Sequence, residues 1–327
     1  MKIFITGGLG FVGKNLSRFL LEKGHHVIAT GTRDIPDSIS NERFEYIQAD
    51  TTETGDWQAA AAQVDVVVNL AGRSIFKRWD DRYKKQLRDS RILTTRNIVD
   101  ALEDGKTSVL CSTSAVGYYG DRADDILMES EPPMPDFLGN LSLDWEAEAL
   151  GAEKKGVRVV LPRFGMVLGR GGGALAKMLP AFKSFVGGPL GSGKQWFPWI
   201  HMADVLGGLN FLIETAECRG PFNLCSPAPI RNRDFSATLG KVLGRPAVMP
   251  VPSFMIRLVM GELGGVLLSS QRAVPHNLLE AGYRFRFADL PAALADLTGD
   301  EKEPQENREE PYICPHCGDR NCECHKS

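Results

Sequence analysis

The 327-residue sequence has no run of the ~20 apolar residues that a membrane span needs. Met1-Lys2 leads into a three-residue apolar stretch, then Thr6 and glycines, so no signal peptide is expected. Neither charge is in excess. Lys and Arg total 38 against 41 Asp and Glu, a formal net charge of -3, which argues against nucleic acid or an anionic membrane as partner. Cysteine is sparse through the body of the chain, at Cys111, Cys218 and Cys225 only. That is no disulfide framework, and a reducing cytoplasm is the expected compartment. No internal repeat is visible. With 43% hydrophobic and 24% charged residues, the composition also excludes a disordered chain, a collagen and a coiled coil.

What is present is an alternation of strand and helix. Short buried strands are expected at Ile3–Ile5, Val27–Ala29, Phe44–Ile47, Val64–Asn69, Ser108–Ser112 and Val157–Leu161. Val12, Leu16, Phe19 and Leu20 recur at helical spacing between Phe11 and Lys23, and Gly24 stops that helix. A longer helix follows around Tyr83, Leu87, Thr94, Ile98 and Leu102. Helices between buried strands imply an α/β fold, a Rossmann-type doubly wound parallel sheet. After Pro162 glycine, proline and aromatic residues become frequent, which marks a smaller C-terminal lobe over 163–298 that covers the carboxyl edge of the sheet domain at 1–162.

Between the first strand and first helix the chain reads TGGLGFVG, Thr6 to Gly13. Gly7, Gly10 and Gly13 have the GxxGxxG spacing. A tight turn, close backbone approach to a pyrophosphate and a helix N-terminus with free N–H groups all need glycine there. At the end of the second strand no carboxylate appears before Asp34. Thr32-Arg33 stands in its place, which suits a 2′-phosphate and favours NADP over NAD. Asp50, after the third strand, is a candidate acceptor for the adenine amino group, or else a cap for the segment near Trp57.

TGGLGFVG, Asp50, the NLAG of Asn69–Gly72, STSAVGYYG at Ser112–Gly120, and the two stretches RFGMVLGRGGGAL (Arg163–Leu175) and GGPLGSGKQWFPWIHMADV (Gly187–Val205) together resemble the extended short-chain dehydrogenase/reductases. Within them they resemble the NADP-dependent epimerase-like branch, also described as sugar-nucleotide epimerase-like or cell-division-inhibitor-like. The resemblance spans about residues 1–298. It implies that Thr6, Gly7, Gly10, Phe11, Val12 and Gly13 cradle a pyrophosphate and that Thr32 and Arg33 meet the adenosine phosphate. Asp50 would sit at the adenine; Leu70, Ala71, Gly72, Ser112 and Arg163 complete the cofactor set. Ser114 takes the catalytic serine position. A small-molecule substrate and a homodimer are implied with it.

One element of that family is missing. Its proton chemistry rests on Tyr-x-x-x-Lys within YGxSKxxxE. Here Leu138–Glu146 reads LGNLSLDWE, so Gly139 and Glu146 align while Leu138 holds the Tyr place and Ser142 the Lys place. Tyr118 and Tyr119, beside Ser114, are the replacement candidates, with aromatic packing as the competing role. The choice is between an oxidoreductase with a relocated acid and an NADP-binding sensor or scaffold. His201 is either a functional histidine or, the better reading, a satisfied histidine beside an Asp204 helix cap, and Trp196, Phe197 and Trp199 are either a stacking platform or core.

The last segments differ in kind. From Asp300 to Glu310 six acids and two bases occur with no apolar residue, an acidic linker within 299–311. The tail at 312–327 holds Cys314, Cys317, Cys322 and Cys324, with His325 in reserve. The Cys-Pro-His-Cys-Gly turn resembles a zinc knuckle, and four thiolates suffice for tetrahedral Zn2+.

Overall fold

Isoleucine and phenylalanine alternate along the first strand, and each finds a different covered face. Ile3 and Ile5 point to one side of the sheet and Phe4 to the other, all fully buried. In this computed structural model, which describes residues 1–33 and 39–299, the same pattern repeats along the parallel strands. The strands are β1 Lys2–Thr6, β2 His26–Gly31, β3 Phe44–Gln48, β4 Val66–Asn69, β5 Val109–Ser112, β6 Ser114–Ala115, β7 Ile126–Leu127, β8 Arg158–Phe164, β9 Met166–Gly169, β10 Trp196–Phe197, β11 Trp199–His201, β12 Gly220–Leu224, β13 Ile230–Arg231 and β14 Arg272–Ala273. The helices are α1 Phe11–Glu22, α2 Trp57–Ala61, α3 Asp81–Ala101, α4 Phe137–Leu150, α5 Gly173–Lys183, α6 Met202–Glu214, α7 Asn232–Leu243, α8 Ser253–Met260, α9 Glu262–Leu268, α10 His276–Glu280 and α11 Leu290–Thr298.

The main sheet has the order β12-β8-β5-β4-β1-β2-β3, all parallel, with β6 added beside β8. Leu16 and Leu20 of α1 and Val205, Leu209 and Leu212 of α6 cover one face. Trp57, Ile98 and Ala149, from α2, α3 and α4, cover the other. The chain runs β1-β2-β3 outward and then crosses back to lay β4 on the opposite side of β1. That reversal opens a crevice beyond the carboxyl ends of β1 and β4, where ligands of open α/β sheets bind.

The second lobe is built around Trp199, Phe235, Leu290 and Leu294, which join α7 and α11 to the short β9–β11 and β10–β13 pairs. Trp199 is core and offers no stacking platform. Trp196 lies between the guanidinium groups of Arg231 and Arg272, 4.4 and 4.6 Å from its ring. The lobe does not begin cleanly at residue 163, because β8 continues to Phe164 and β12 supplies the sheet's outer strand.

The roles expected at His201 and Asp204 are exchanged. His201 itself caps α6, its Nδ1 accepting the Ala203 N–H at 3.0 Å. Asp204, fully buried, accepts the N–H groups of Arg286 and Phe287 at 2.7 and 2.9 Å and so ties α6 to the chain before α11. A histidine in that setting prefers to be neutral. Burial lowers its pKa, outweighing the pull of Asp296 in the other direction. In the unfolded chain the ring protonates near its ordinary value of about 6.5. The unfolded state therefore binds more protons below that pH, and stability falls on acidification. His201→Asn keeps a capping acceptor and removes the titration. Urea unfolding at about pH 7.5 and about pH 5.5 should show a smaller loss for the variant than for the parent. An unchanged loss would remove His201 as its source.

Candidate functional site

The crevice at the β1–β4 reversal is shaped by glycine. Gly7 follows β1 with φ +65, and a Cβ there would stand 3.0 Å from the Leu70 carbonyl oxygen and 3.2 Å from Ala71 Cα. The two strand ends can approach so closely only without a side chain. Gly10 donates its N–H to the Gly7 carbonyl at 2.8 Å, and a Cβ on Gly13 would fall 2.2 Å from that same oxygen. Gly10 caps α1 with no side-chain acceptor. The first-turn N–H groups of Phe11, Val12 and Gly13 are thus left for an anion, at the positive end of the helix dipole.

Around this turn lies a cavity of about 460 Å³. Gly7, Thr32, Asp50, Ala71, Gly72 and Arg73 are among its walls. Arg33, next to Thr32, is exposed at the end of β2. The Tyr46 hydroxyl lies 2.9 and 2.8 Å from the carbonyls of Gly31 and Arg33 and fixes that corner. Asp50 does not cap α2, which starts on Asp56. One Asp50 oxygen takes the N–H and hydroxyl of Thr52 at 3.0 and 2.7 Å, so the carboxylate is held at the rim by its own turn.

Three residues of the expected cofactor set have their polar atoms bonded within the protein. Thr6 is fully buried; its hydroxyl donates to Asn69 Oδ1 at 2.7 Å and receives the Ala71 N–H at 3.3 Å. Ser112 is buried and accepts from Asn69 Nδ2 at 3.2 Å. Asn69 therefore clamps β1, β4 and β5 at the level of the crevice. Arg163 is the third: its guanidinium is spent inside the protein. It pairs with both Glu146 oxygens at 2.8 Å and donates to the Tyr119 hydroxyl at 2.8 Å and the Glu129 carbonyl at 3.1 Å. Phe11 places its ring where Cβ atoms on Gly169, Gly172 and Gly173 would lie 2.7, 2.3 and 2.6 Å from it. The RGGG stretch is thus a slot that seats the second lobe on the cradle.

The candidate proton donors separate. Tyr119 is fully buried, donates to Asn223 Oδ1 at 2.8 Å and accepts from Arg163. Burial pushes its phenol up, against the pull of Arg163. Tyr118 has slight exposure, stacks under the Arg163 guanidinium at 3.7 Å, and is also pushed up by burial more than Arg163 lowers it. Ser114 donates to Glu146 Oε1 at 2.6 Å. Leu138, in the place of the family tyrosine, lines a second cavity of about 270 Å³ with Trp79, Phe137 and Val266. Sequence reasoning noted Glu146 only as an aligned position, yet it is the hub of this region; the signal was its survival in a motif that had lost Tyr and Lys. Arg91 was missed altogether. It lies beneath Gly72, bonded to the Leu87 and Arg73 carbonyls, and burial lowers it to about 10.

A glycine cradle at a topological reversal, an uncapped helix N-terminus and a second lobe over the sheet edge define a Rossmann-type protein of the extended short-chain dehydrogenase/reductase class. Family comparison agrees, and the chain belongs to the NAD dependent epimerase/dehydratase family, whose model matches residues 3–225. A domain family of unknown function matches residues 251–297. The chain is 39% identical to an epimerase family protein of Staphylococcus haemolyticus, covering 91% of this chain and 99% of that one. It is 36% identical to the chloroplastic SDR39U1 homologue of Arabidopsis thaliana, covering 90% and 86%. The structure of human epimerase family protein SDR39U1, solved with NADPH, matches with a TM-score of 0.81 at 33% identity, covering 91% of this chain and 99% of that one.

Glu146→Gln tests the hub. It leaves the buried Arg163 without its counter-charge, and the expected cost is about 3–5 kcal/mol in urea unfolding. A loss under about 1 kcal/mol would mean that the pair does not hold α4 to β8.

Proposed function

We propose that this chain binds NADP(H) in the Gly7–Gly13 crevice and acts as an epimerase-like oxidoreductase on a small molecule held in the Leu138 cavity. The observation that carries the reading is the uncapped first turn of α1, which follows Gly7 in a cavity wall that also includes Thr32, with exposed Arg33 next in the chain. The cradle fits the group, since the space at Gly7 and Gly10 is what a pyrophosphate needs and the rim carries a cation where NAD would require a carboxylate. NADP(H), when bound, supplies or accepts hydride. Phe11, Val12 and Gly13 hold its phosphates through backbone N–H groups, and Arg33 its 2′-phosphate. The human relative solved with NADPH supports the choice.

Tyr118 is the proton donor in this reading. Leu138 and Ser142 have no acid to offer, and the Tyr119 hydroxyl is committed at both ends. A phenol kept protonated by burial suits donation to a nascent alkoxide, the direction of carbonyl reduction. The second reading, an NADP(H)-binding sensor, draws its support from the same absence at Leu138 and Ser142. NADPH consumption across a carbonyl and sugar panel separates the two. Turnover should appear, Tyr118→Phe should lower kcat by about 100-fold or more with NADPH affinity unchanged, and Tyr119→Phe should mainly lower stability. Absence of turnover with every carbonyl and sugar would leave the sensor. In the binding experiment NADPH should titrate more tightly than NADH. Arg33→Ala should erase the difference, and Gly10→Val should abolish both. Tighter NADH would overturn the cofactor assignment.

The proposal includes a zinc site in the tail. Cys314, Cys317, Cys322, Cys324 and His325 lie outside the described residues, as does the linker from Asp300. Among the described residues no group of His, Cys, Asp and Glu suits a metal. Protein purified without chelator should carry about one zinc, and Cys317→Ser should lose it. Chelation should leave NADPH affinity unchanged, because cradle and tail share no ligand. Less than about 0.2 equivalents would dismiss the site. The three described cysteines, Cys111, Cys218 and Cys225, are free and buried, in keeping with a cytoplasmic setting.

A further inference from the structure

The second lobe carries an apolar face that neither cavity uses. α8 is held to the body by Ile256, its one buried residue, while Phe254, Leu258 and Val259 are 70, 73 and 67% exposed. Large apolar side chains on consecutive turns are rarely left to water in this way. The face extends beyond the helix. Leu190 bridges Val251, and a Cβ on Gly188 would meet the Met249 carbonyl at 2.0 Å, so the 184–191 segment runs alongside 248–251. Those two segments add Phe185 and Val186, 54 and 51% exposed, and Val248 at 78%.

The charge on this face is one-sided. Residues 183–194 and 244–261 contain Lys183, Lys194, Arg245 and Arg257 and no Asp or Glu, although the chain as a whole is acidic by three. All four cations are exposed, and none forms an ion pair among the described residues. Arg245 stands 4.5 Å from the Phe185 ring, at the junction of the two segments. Glu262, the first acid after α8, is already paired with Lys84.

We propose that this face docks on an anionic lipid surface. Its apolar side chains enter the acyl boundary while Lys183, Lys194, Arg245 and Arg257 meet lipid phosphates. A second copy of the chain is the poorer occupant, because an isologous pairing would set these four uncompensated cations against their equivalents. An eight-residue helix lies on a membrane and does not cross it, and no described helix is long and apolar enough to span one. The expectation of no membrane partner came from whole-chain charge, which averages this local excess away.

Co-sedimentation of the full chain with large vesicles tests the proposal. The chain should pellet with phosphatidylcholine containing about 30 mol % phosphatidylglycerol and stay in solution with phosphatidylcholine alone. Raising salt from about 0.05 M to about 0.5 M should weaken binding. Leu258→Glu with Val259→Glu should lower partitioning by at least about tenfold, and Arg245→Gln or Arg257→Gln by about fivefold each. These residues are exposed, so the variants should unfold in urea like the parent. Three outcomes would overturn the idea: no binding to the anionic vesicles, equal binding to both kinds, or a dimer in sedimentation velocity that Leu258→Glu dissociates.

Discussion

The Arg163–Glu146 pair is the joint on which this molecule turns. Arg163 lies near the end of β8, the strand beside the edge strand β12, and Glu146 sits on α4, the helix whose family counterpart carries the Tyr and Lys. Both are buried, and the guanidinium also reaches Tyr119 and the Glu129 backbone. Through Tyr119 and Glu129 the network continues to Asn223 of β12, so the outermost parallel strand is fastened by polar contacts as well as by the sheet. A buried ion pair gains little by Coulomb attraction after both ions leave water. Its value here is that nearly every donor and acceptor is used, so no alternative arrangement of β6, α4 and β8 satisfies the charges equally well.

The cofactor crevice depends on a different economy, that of space. Gly7 and Gly13 allow the turn to fold on itself, and Asn69 keeps the ends of β1, β4 and β5 level by bonding Thr6, Thr95 and Ser112. Phe11 then leaves the cradle and enters the slot at Gly169, Gly172 and Gly173. The first helix is in this way locked to the loop before α5. A phosphate-binding turn and a distant glycine run, each readable separately as a flexible loop, form one rigid contact.

The sheet was legible because its strands are short apolar runs between helical periodicities, and the cradle because glycine, strand and helix occur in an order with few other uses. The later contributions were harder to read. β12 is GPFNL, with Pro221 inside it and polar Asn223 buried, and nothing in that pentapeptide marks it as a parallel edge. The partners of the expected cofactor residues were hidden as well. The resemblance set Thr6, Ser112 and Arg163 beside the cofactor, whereas Asn69, Glu146 and Tyr119, which hold their polar atoms, are brought to them only by the fold. His201 and Asp204 exchanged roles for a related reason: either can cap a helix, and the choice was made by Arg286 and Phe287, more than 80 residues away in the chain.

The loss of Tyr and Lys from α4 reads differently once Arg163 is placed. In the family motif a lysine stands one turn from the tyrosine and supplies the positive charge beside the reacting phenol. Here the positive charge comes from β8 and the phenols from the turn after β6, on the opposite side of the same cluster. Leu138 then puts an apolar side chain where a hydroxyl would have stood, on the wall of a cavity that Trp79, Phe137 and Val266 share with Asp121, Asp136 and Glu262. The Arg163 guanidinium lies 3.7 Å from the Tyr118 ring and 5.3 Å from that of Tyr119, so cation and phenol meet here from different elements. A phenol held under a guanidinium that is itself neutralised by Glu146 gains less acidity than one beside a free ammonium, because the carboxylate offsets much of the field. Burial acts in the same direction, so the Tyr118 phenol stands above its ordinary value despite the guanidinium 3.7 Å from its ring.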